Sequence, residues 1–186
     1  MADAPVVIII GSQGNIGRRL MPAFPGAIGI DRMAGADIVA DLGSIDYDAP
    51  DVRAAFERAD GLIHVATSAQ VPDPPAVHWA AVRDTARLMA ACDRYDIAHV
   101  VLPSSDWAQP RTRWAGHQIT EYGHSKRVFE AMAEMYNVKP GRDAVALRLG
   151  WVPRSLDELA TASGWLRANY WDDERLIGQV RGALGL

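Results

Sequence analysis

The chain has 186 residues, of which 49% are hydrophobic and 23% are charged, and this composition is typical of one globular domain with a sizeable core. Its formal net charge of −4 gives no electrostatic reason to expect nucleic acid or an anionic membrane surface as a partner. The apolar run near the start is too short for a signal or membrane helix, and the single cysteine, Cys92, cannot form an intramolecular disulfide, which favours a cytoplasmic location.

Strand-like runs alternate with helical patterns along the chain. The strands are predicted at 5–10, 27–31, 37–40, 61–66, 98–103 and 143–149, and the helices at 15–22, 51–59, 76–95, 119–137 and 172–184. This alternation predicts an α/β protein with a doubly wound parallel sheet and right-handed crossovers, the Rossmann fold. Residues 1–186 are predicted to form a single domain, with 150–171 as a substrate-side loop in a minimal C-terminal substrate region and 172–184 as a closing helix.

The first strand opens directly into three glycines that are spaced three residues apart. Gly11 allows a tight turn, Gly14 removes the side chain that would block a phosphate, and Gly17 lets the following helix pack closely on the sheet. The free N–H groups and the positive dipole end of that helix then face an anion. The pattern predicts a binding loop for the pyrophosphate of a dinucleotide, in which Asn15 and Ile16 are further cofactor contacts.

An acidic residue, Asp31, closes the second predicted strand twenty residues after Gly11. A carboxylate at this place accepts hydrogen bonds from both ribose hydroxyls of NAD and repels the 2′-phosphate of NADP. The alternative is an acid that only caps a turn. The adjacent guanidinium of Arg32 would instead favour a phosphate. We therefore predict NAD as the cofactor, with NADP as the less favoured alternative.

Further cofactor contacts are predicted where the third and fourth strands end. Asp41, which precedes Leu42, either accepts a hydrogen bond from the adenine amino group or caps the turn before the next helix. Small residues at the end of the fourth strand let the backbone of Val65 and Ala66 approach the cofactor. His64, just before them, is expected to be a packed strand histidine.

The residues expected to carry chemistry follow the fifth strand and begin the next long helix. The strand delivers Ser105 to the carboxyl edge of the sheet, while Tyr122 and Lys126 share one helix face because they are four residues apart. An unperturbed tyrosine titrates at about pH 10, and a nearby ammonium together with oxidised nicotinamide would favour its phenolate. Tyr122 is then an acid/base, and Ser105 holds the substrate oxygen while hydride passes to or from nicotinamide.

As a set, these motifs resemble the extended short-chain dehydrogenase/reductases, the NAD-dependent epimerase/dehydratase family, over residues 5 to about 152. The residues that carry the resemblance are Gly11-x-x-Gly14-x-x-Gly17, Asp31, Asp41-Leu42, His64–Ala66, Ser104-Ser105, Tyr122-x-x-x-Lys126 and Leu147–Gly150. The resemblance implies Tyr122 as acid/base and Lys126 as the contact to the nicotinamide ribose and the tyrosine. It implies Ser105 on the reacting oxygen, with Ser104 as the alternative if the register shifts by one.

Within that family the chain is most similar to the uronate dehydrogenase branch, whose members oxidise the anomeric carbon of a sugar acid. The arginine that those enzymes place between their Arg-x-Gly and the following tryptophan falls at Ala160 when no gap is allowed. Arg111, Arg113 and Arg154 are therefore the candidates to clamp a substrate carboxylate instead. We expect an NAD-dependent oxidoreductase of a small sugar, sugar acid or similar hydroxy compound. The alternatives are a nucleotide-sugar epimerase or dehydratase, for which Asp106 could serve as an acid, and a non-catalytic NAD(P)-binding sensor.

The helices at 76–95 and 119–137 carry apolar residues on more than one face, including Leu88, Met89, Val128, Phe129, Met132 and Met135. Members of the family dimerise through the corresponding helices, which implies a homodimer, while the alternative is that these residues only cover the sheet. Besides a second copy, the expected partner is a small-molecule substrate. No His, Cys, Asp and Glu group has the spacing of metal ligands, so no metal is expected.

Overall fold

The computed structural model describes residues 5–108 and 119–185. Within these residues, parallel strands form one six-stranded sheet in the order β3-β2-β1-β4-β5-β6. The strands are β1 (Val7–Ile10), β2 (Ile28–Asp31), β3 (Ile38–Val39), β4 (Gly61–His64), β5 (His99–Ser104) and β6 (Asp143–Arg148). Because strand order reverses beside β1, the carboxyl ends of β1 and β4 border a switch point, where such sheets bind ligands. The predicted doubly wound parallel sheet is confirmed.

Helices cover both faces of the sheet. They are α1 (Gly17–Leu20), α2 (Pro50–Arg58), α3 (Pro75–Arg94), α4 (Glu121–Tyr136), α5 (Leu156–Thr161), α6 (Gly164–Ala168) and α7 (Asp173–Leu184). Residues of α2, α3 and α4 build one core cluster, and residues of α1 and α7 build the other. In the part of the chain that the structure describes, none of these helices is long and apolar enough to cross a membrane.

The strand β1 divides its side chains between the two cores, because neighbouring residues of a strand point to opposite faces. Ile8 and Ile10 belong to the cluster of α2, α3 and α4, while Val7 and Ile9 belong to the cluster of α1 and α7. All four side chains are buried. Burial on both faces explains why this strand is a continuous β-branched run rather than an alternating pattern.

Two segments differ from the sequence prediction. The helix predicted at 15–22 is α-helical only over α1 and continues as a 3-10 turn at Met21–Ala23. The α-helix stops because Pro22 has no N–H to donate and its ring would clash with the preceding turn. The predicted loop 150–171 contains α5 and α6, which begin at Ser155 and Ser163; each serine side chain accepts a hydrogen bond from a backbone N–H. Both helices are too short to give a clear sequence period.

The apolar residues predicted for a dimer interface fall into two groups. Leu88, Met89 and Phe129 are buried in the core beneath α3 and α4, so they cover the sheet, as the alternative prediction has it. Val128 and Met135 of α4 are 38% and 70% exposed.

Candidate functional site

A cavity of about 580 Å³ opens at the carboxyl edge of the sheet, where β1, β2 and β4 end. This is the position of the switch point in strand order. The predicted cofactor residues that line it are Gly11, Gly14, Asp31, Arg32, Asp41, Leu42, Val65 and Ala66. The remaining ones, Asn15, Ile16, Gly17, Tyr122 and Lys126, lie outside its lining, and their surroundings are described below.

The glycine loop is held by close backbone contacts. Gly11 has a φ of +92°, and a Cβ on it would lie 2.7 Å from the backbone nitrogen of Ala66, so the loop touches the end of β4. A Cβ on Gly17 would overlap the carbonyl oxygen of Gly11, so the start of α1 lies directly against the loop. Gly14 is exposed beside the cavity, as a phosphate-binding loop requires.

The same loop is tied to the segment that follows β6. The Asn15 side chain donates a hydrogen bond to the carbonyl of Val152 over 2.8 Å, and Arg19 donates to the carbonyls of Asn15 and Pro153 over 2.6 and 2.8 Å. Ile16 packs against the core cluster of α1 and α7. Asn15 and Ile16 therefore fix the loop between the sheet and the C-terminal segment.

The carboxylate of Asp31 accepts hydrogen bonds from the backbone N–H groups of Gln13 and Met33, each over 2.9 Å. A carboxylate has about four acceptor positions, so Asp31 can close this turn and still receive ribose hydroxyls at the cavity wall. Asp41 similarly accepts from the N–H of Gly43 over 2.8 Å, which is the turn-capping role, and it also lines the cavity. Arg32 is exposed at the rim.

The start of α4 lies directly against the turn that follows β5. A Cβ on Gly123 would come within 2.4 Å of the Trp107 carbonyl oxygen, so only a glycine permits this approach. Thr120 caps the helix by accepting a hydrogen bond from the N–H of Gly123 over 3.3 Å. The contact brings Ser105 close enough to Tyr122 for the serine hydroxyl to lower the pKa of the phenol.

A half-buried ion pair and a serine hydroxyl connect α4 with the two neighbouring strands. Arg148 of β6 donates to Glu130 of α4 over 2.7 and 3.1 Å, and the Ser104 hydroxyl of β5 donates to the same carboxylate over 2.7 Å. Burial raises the pKa of Glu130, but the hydrogen bonds from Arg148 and Ser104 hold it below its ordinary value. The structure thus brings Ser105, not Ser104, to Tyr122.

The Lys126 amine lies beneath the predicted acid/base. Its Nζ is 5.1 Å from the ring centroid of Tyr122 and 4.9 Å from that of Phe129, and it donates a hydrogen bond to Thr67 Oγ1 over 3.1 Å. Because the side chain is 3% exposed, burial lowers the pKa of Lys126 to about 7.

The pKa of Tyr122 is raised by burial, and the nearby Ser105 hydroxyl opposes that change. In the chain by itself the effect of burial on the phenol is the larger one, and the Lys126 amine over the face of the ring is itself desolvated. That an ammonium together with oxidised nicotinamide favours the phenolate stays a prediction.

Sequence reasoning missed two residues of this region. Thr67 follows the fourth strand directly after Ala66, and its position at a ligand-side strand end was the available signal. His78 of α3 packs edge-on against Tyr122, with ring centroids 5.7 Å apart and an interplanar angle of 73°. It is buried, and its Nε2 has no hydrogen-bond partner among residues 5–108 and 119–185. Helical periodicity predicts such burial without identifying the neighbour.

The predicted substrate residues do not gather at one place. Asp106 lies close enough to Arg148 to help raise the pKa of that guanidinium, behind the larger effect of Glu130. Arg154 is exposed and lines a second cavity of about 600 Å³ beside α1 and α7. Arg111 falls in 109–118, outside the described residues, as does Arg113. Across 5–108 and 119–185, no cluster of three His, Cys, Asp or Glu side chains could hold a metal ion.

The sequence model of the NAD-dependent epimerase/dehydratase family matches residues 7–152. The chain belongs to this family. Its members are enzymes, and NAD is accordingly the cofactor. No curated protein sequence matches the chain.

Solved structures share the fold at low sequence identity. One is a short-chain dehydrogenase/reductase superfamily protein from Agrobacterium tumefaciens with bound NAD, which has a TM-score of 0.67, 20% identity and coverage of 96% of this chain and 60% of its own. A mutated uronate dehydrogenase has a TM-score of 0.63 and 24% identity, with coverage of 80% and 59%. The UDP-N-acetylglucosamine 4-epimerase from Bacillus cereus has a TM-score of 0.63 and 20% identity, with coverage of 80% and 54%. The chain thus spans less than two thirds of these relatives.

The buried amine predicts an unusual pH dependence of stability. In the unfolded chain Lys126 has its ordinary pKa, while in the folded chain the value is about 7. Between pH 7 and 10.5 the unfolded state holds one more proton, so the stability of the wild type rises with pH across this window. We expect Lys126→Met to raise the free energy of unfolding by about 4 kcal/mol at pH 6 to 7 and by progressively less toward pH 10, as measured by urea denaturation.

The other lysine of the chain provides the matched control. Lys139 is 54% exposed and pairs with Asp93 and Asp96 at the surface, so Lys139→Met should change stability by less than about 1 kcal/mol. If the free energies of unfolding of Lys126→Met and wild type differ by the same amount from pH 6 to 10, the amine is not buried in its uncharged form.

Proposed function

We propose that the chain is a cytoplasmic NAD-dependent oxidoreductase that acts on a small sugar, sugar acid or similar hydroxy compound. The observation that carries the proposal is the amine of Lys126 beneath the phenol ring of Tyr122, with Ser105 close enough to lower the pKa of that phenol. An alcohol, a phenol and an amine in contact at the ligand edge of the sheet are the groups needed to move a proton at a carbinol oxygen. The location is proposed because the single cysteine, Cys92, is a buried thiol rather than a disulfide.

The residues proposed to hold the cofactor surround the first cavity. The glycine loop receives the pyrophosphate at Gly14, and Asp31 receives the adenosine ribose while disfavouring the 2′-phosphate of NADP. When bound, NAD supplies the hydride acceptor or donor. Lys126 is the proposed contact to the nicotinamide ribose, because its family position and its place under Tyr122 agree.

The proton chemistry is proposed to belong to the chain. Ser105 orients the substrate hydroxyl by hydrogen bonding, and Tyr122 removes its proton in oxidation or returns it in reduction. Burial of Tyr122 raises the pKa of the phenol, so the neutral form is favoured without a cofactor. Positive charge at the site would then be what makes the phenolate accessible.

The substrate is proposed to enter between the turn after β5 and the segment 150–171. Trp107 of that turn packs edge-on against Trp165 of α6, with ring centroids 6.4 Å apart, so the two segments meet near Ser105. Residues 150–171 form one proposed wall of the pocket, and α7 closes the single domain behind it. A carboxylate-bearing substrate would need an arginine from this rim, for which Arg111 and Arg154 are the candidates.

The test is reduction of NAD, followed by absorbance at about 340 nm, with a panel of uronates, neutral sugars, polyols and L-threonine. We expect turnover with at least one hydroxy compound. Tyr122→Phe should lower that turnover by about 10² or more while calorimetry shows unchanged NAD affinity. Tyr95→Phe is the control, because that hydroxyl donates to the Tyr47 carbonyl over 2.8 Å away from the site.

Other outcomes of the panel would redirect the proposal. A nucleotide sugar that changes stereochemistry without net NAD reduction would indicate an epimerase. NAD binding with no turnover of any compound would indicate a sensor. A Tyr122→Phe variant as active as wild type would remove Tyr122 from the chemistry.

We also propose a homodimer formed by the exposed face of α3 and α4. Trp79 and Met135 are each 70% exposed, and Val128 lies one heptad before Met135 on the same face of α4. We expect light scattering to give twice the chain mass for the wild type, and a single chain mass for Met135→Glu. Leu156→Glu, on α5 and 82% exposed in the wild type, should remain dimeric; a wild type of single chain mass would contradict the proposal.

A further inference from the structure

The hydroxyl of Thr67 occupies a position between the buried amine and the cofactor cavity. Its Oγ1 accepts a hydrogen bond from Lys126 Nζ over 3.1 Å. The same residue is half-buried and lines the cavity that also contains Gly11 and Asp31. Thr67 therefore contacts a buried titratable group on one side and an accessible space on the other.

In the described residues, 5–108 and 119–185, the other groups found beside the amine are buried. On β4, His64 is fully buried and its Nε2 lies 3.1 Å from Thr85 Oγ1; burial and the charge of Lys126 lower the pKa of His64 to about 3. On α4, the rings of Tyr122 and Phe129 cover the amine and are themselves buried. Among the described residues, Thr67 is thus the hydrogen-bonding partner of Lys126 that also lines the cavity.

We propose that Thr67 is a positioning and proton-relay residue, which fixes the Lys126 amine beneath Tyr122 and exchanges its proton with solvent in the cofactor cavity. In the forward step, one proton leaves Nζ for Oγ1 while the hydroxyl proton of Thr67 passes to a water in the cavity. One N–H bond of the ammonium and the original O–H bond of Thr67 break, and new O–H bonds form at Oγ1 and at the water, which carries the proton and its charge away. The amine ends neutral, and the threonine ends with one hydroxyl proton as it began. The reverse step recharges the amine.

This role rests on the proposed function only in its last link, the use of Lys126 by Tyr122. The first link concerns the amine alone. A hydroxyl oxygen that accepts from the ammonium stabilises the charged form of Lys126. Loss of that acceptor should therefore lower the pKa of the amine further and slow its proton exchange.

The chain is well suited to a direct measurement because it contains two lysines, Lys126 and Lys139. Lysine labelled with ¹³C at Cε gives one side-chain signal for each, and Lys126→Met assigns them. In wild type the Lys126 signal should titrate near the value of about 7 set by burial. Thr67→Val keeps the shape of the side chain but removes the hydroxyl. In this variant we expect the pKa of Lys126 to be lower by about one unit. The Nζ protons of Lys126 should exchange with D₂O more slowly, by about tenfold.

Two variants keep the result interpretable. Thr67→Ser retains the hydroxyl and should restore both the titration and the exchange rate. Thr161→Val makes the same chemical change on exposed α5 and should leave both unchanged. Lys139 serves as an internal reference for folding and pH in every sample.

The proposal is overturned if Thr67→Val gives the wild-type pKa and exchange rate for Lys126, since another group would then hold and relay the proton. The titration needs no substrate, so it stands apart from the oxidoreductase assay. A relay seen by titration together with a chain inactive toward every compound would refute the proposed function alone. Where turnover is found, Thr67→Val should also move the pH profile of kcat.

Discussion

The contact between the first turn of α4 and the turn after β5 is made backbone to backbone. Only the hydrogen of Gly123 separates the helix from the Trp107 carbonyl, since a Cβ would lie 2.4 Å from that oxygen. Ser105 and Tyr122 come from distant parts of the chain, and this approach allows their side chains to meet. The ion pair of Glu130 with Arg148 then fixes the same helix to the next strand, so that the position of Tyr122 is determined from two sides.

Burial is the second determinant of the site. The Lys126 amine lies under Tyr122, and His64 is buried close enough to feel its charge; desolvation lowers the pKa of both. Such groups oppose folding at pH values where they would otherwise be charged, so their presence indicates that this part of the chain is not optimised for stability alone. An amine with a pKa near neutrality gains and loses protons readily at physiological pH, which is the property required beside an acid/base.

The sequence predicted the parts of the molecule that follow from hydrophobic periodicity and from the glycines and prolines that form turns. A continuous apolar strand followed by Gly11, Gly14 and Gly17 is compatible with few structures. The sheet and its ligand-binding edge could therefore be predicted from the sequence alone. The spacing of Tyr122 and Lys126 fixed their common helix face. What it could not provide was the environment of each group, because the pKa of a phenol or an amine depends on which residues of other elements surround it.

Thr67 illustrates that difference. Its sequence position says that it follows a strand, but only tertiary packing brings it to Lys126. The turn at Met21–Ala23 is a contrasting case, since Pro22 is visible in the sequence and the shortness of α1 follows from its ring. The short helices α5 and α6 begin at the N-cap residues Ser155 and Ser163. A prediction from hydrophobic periodicity does not take such caps into account.

The most direct measurement is a crystal structure of the chain with NAD, in which the position of the nicotinamide ring relative to Ser105 and Tyr122 is determined. We expect the ring to lie against these two side chains, with its ribose within hydrogen-bonding reach of Lys126. A ring bound away from the pair, or a complex in which Ser105 and Tyr122 are separated, would contradict it.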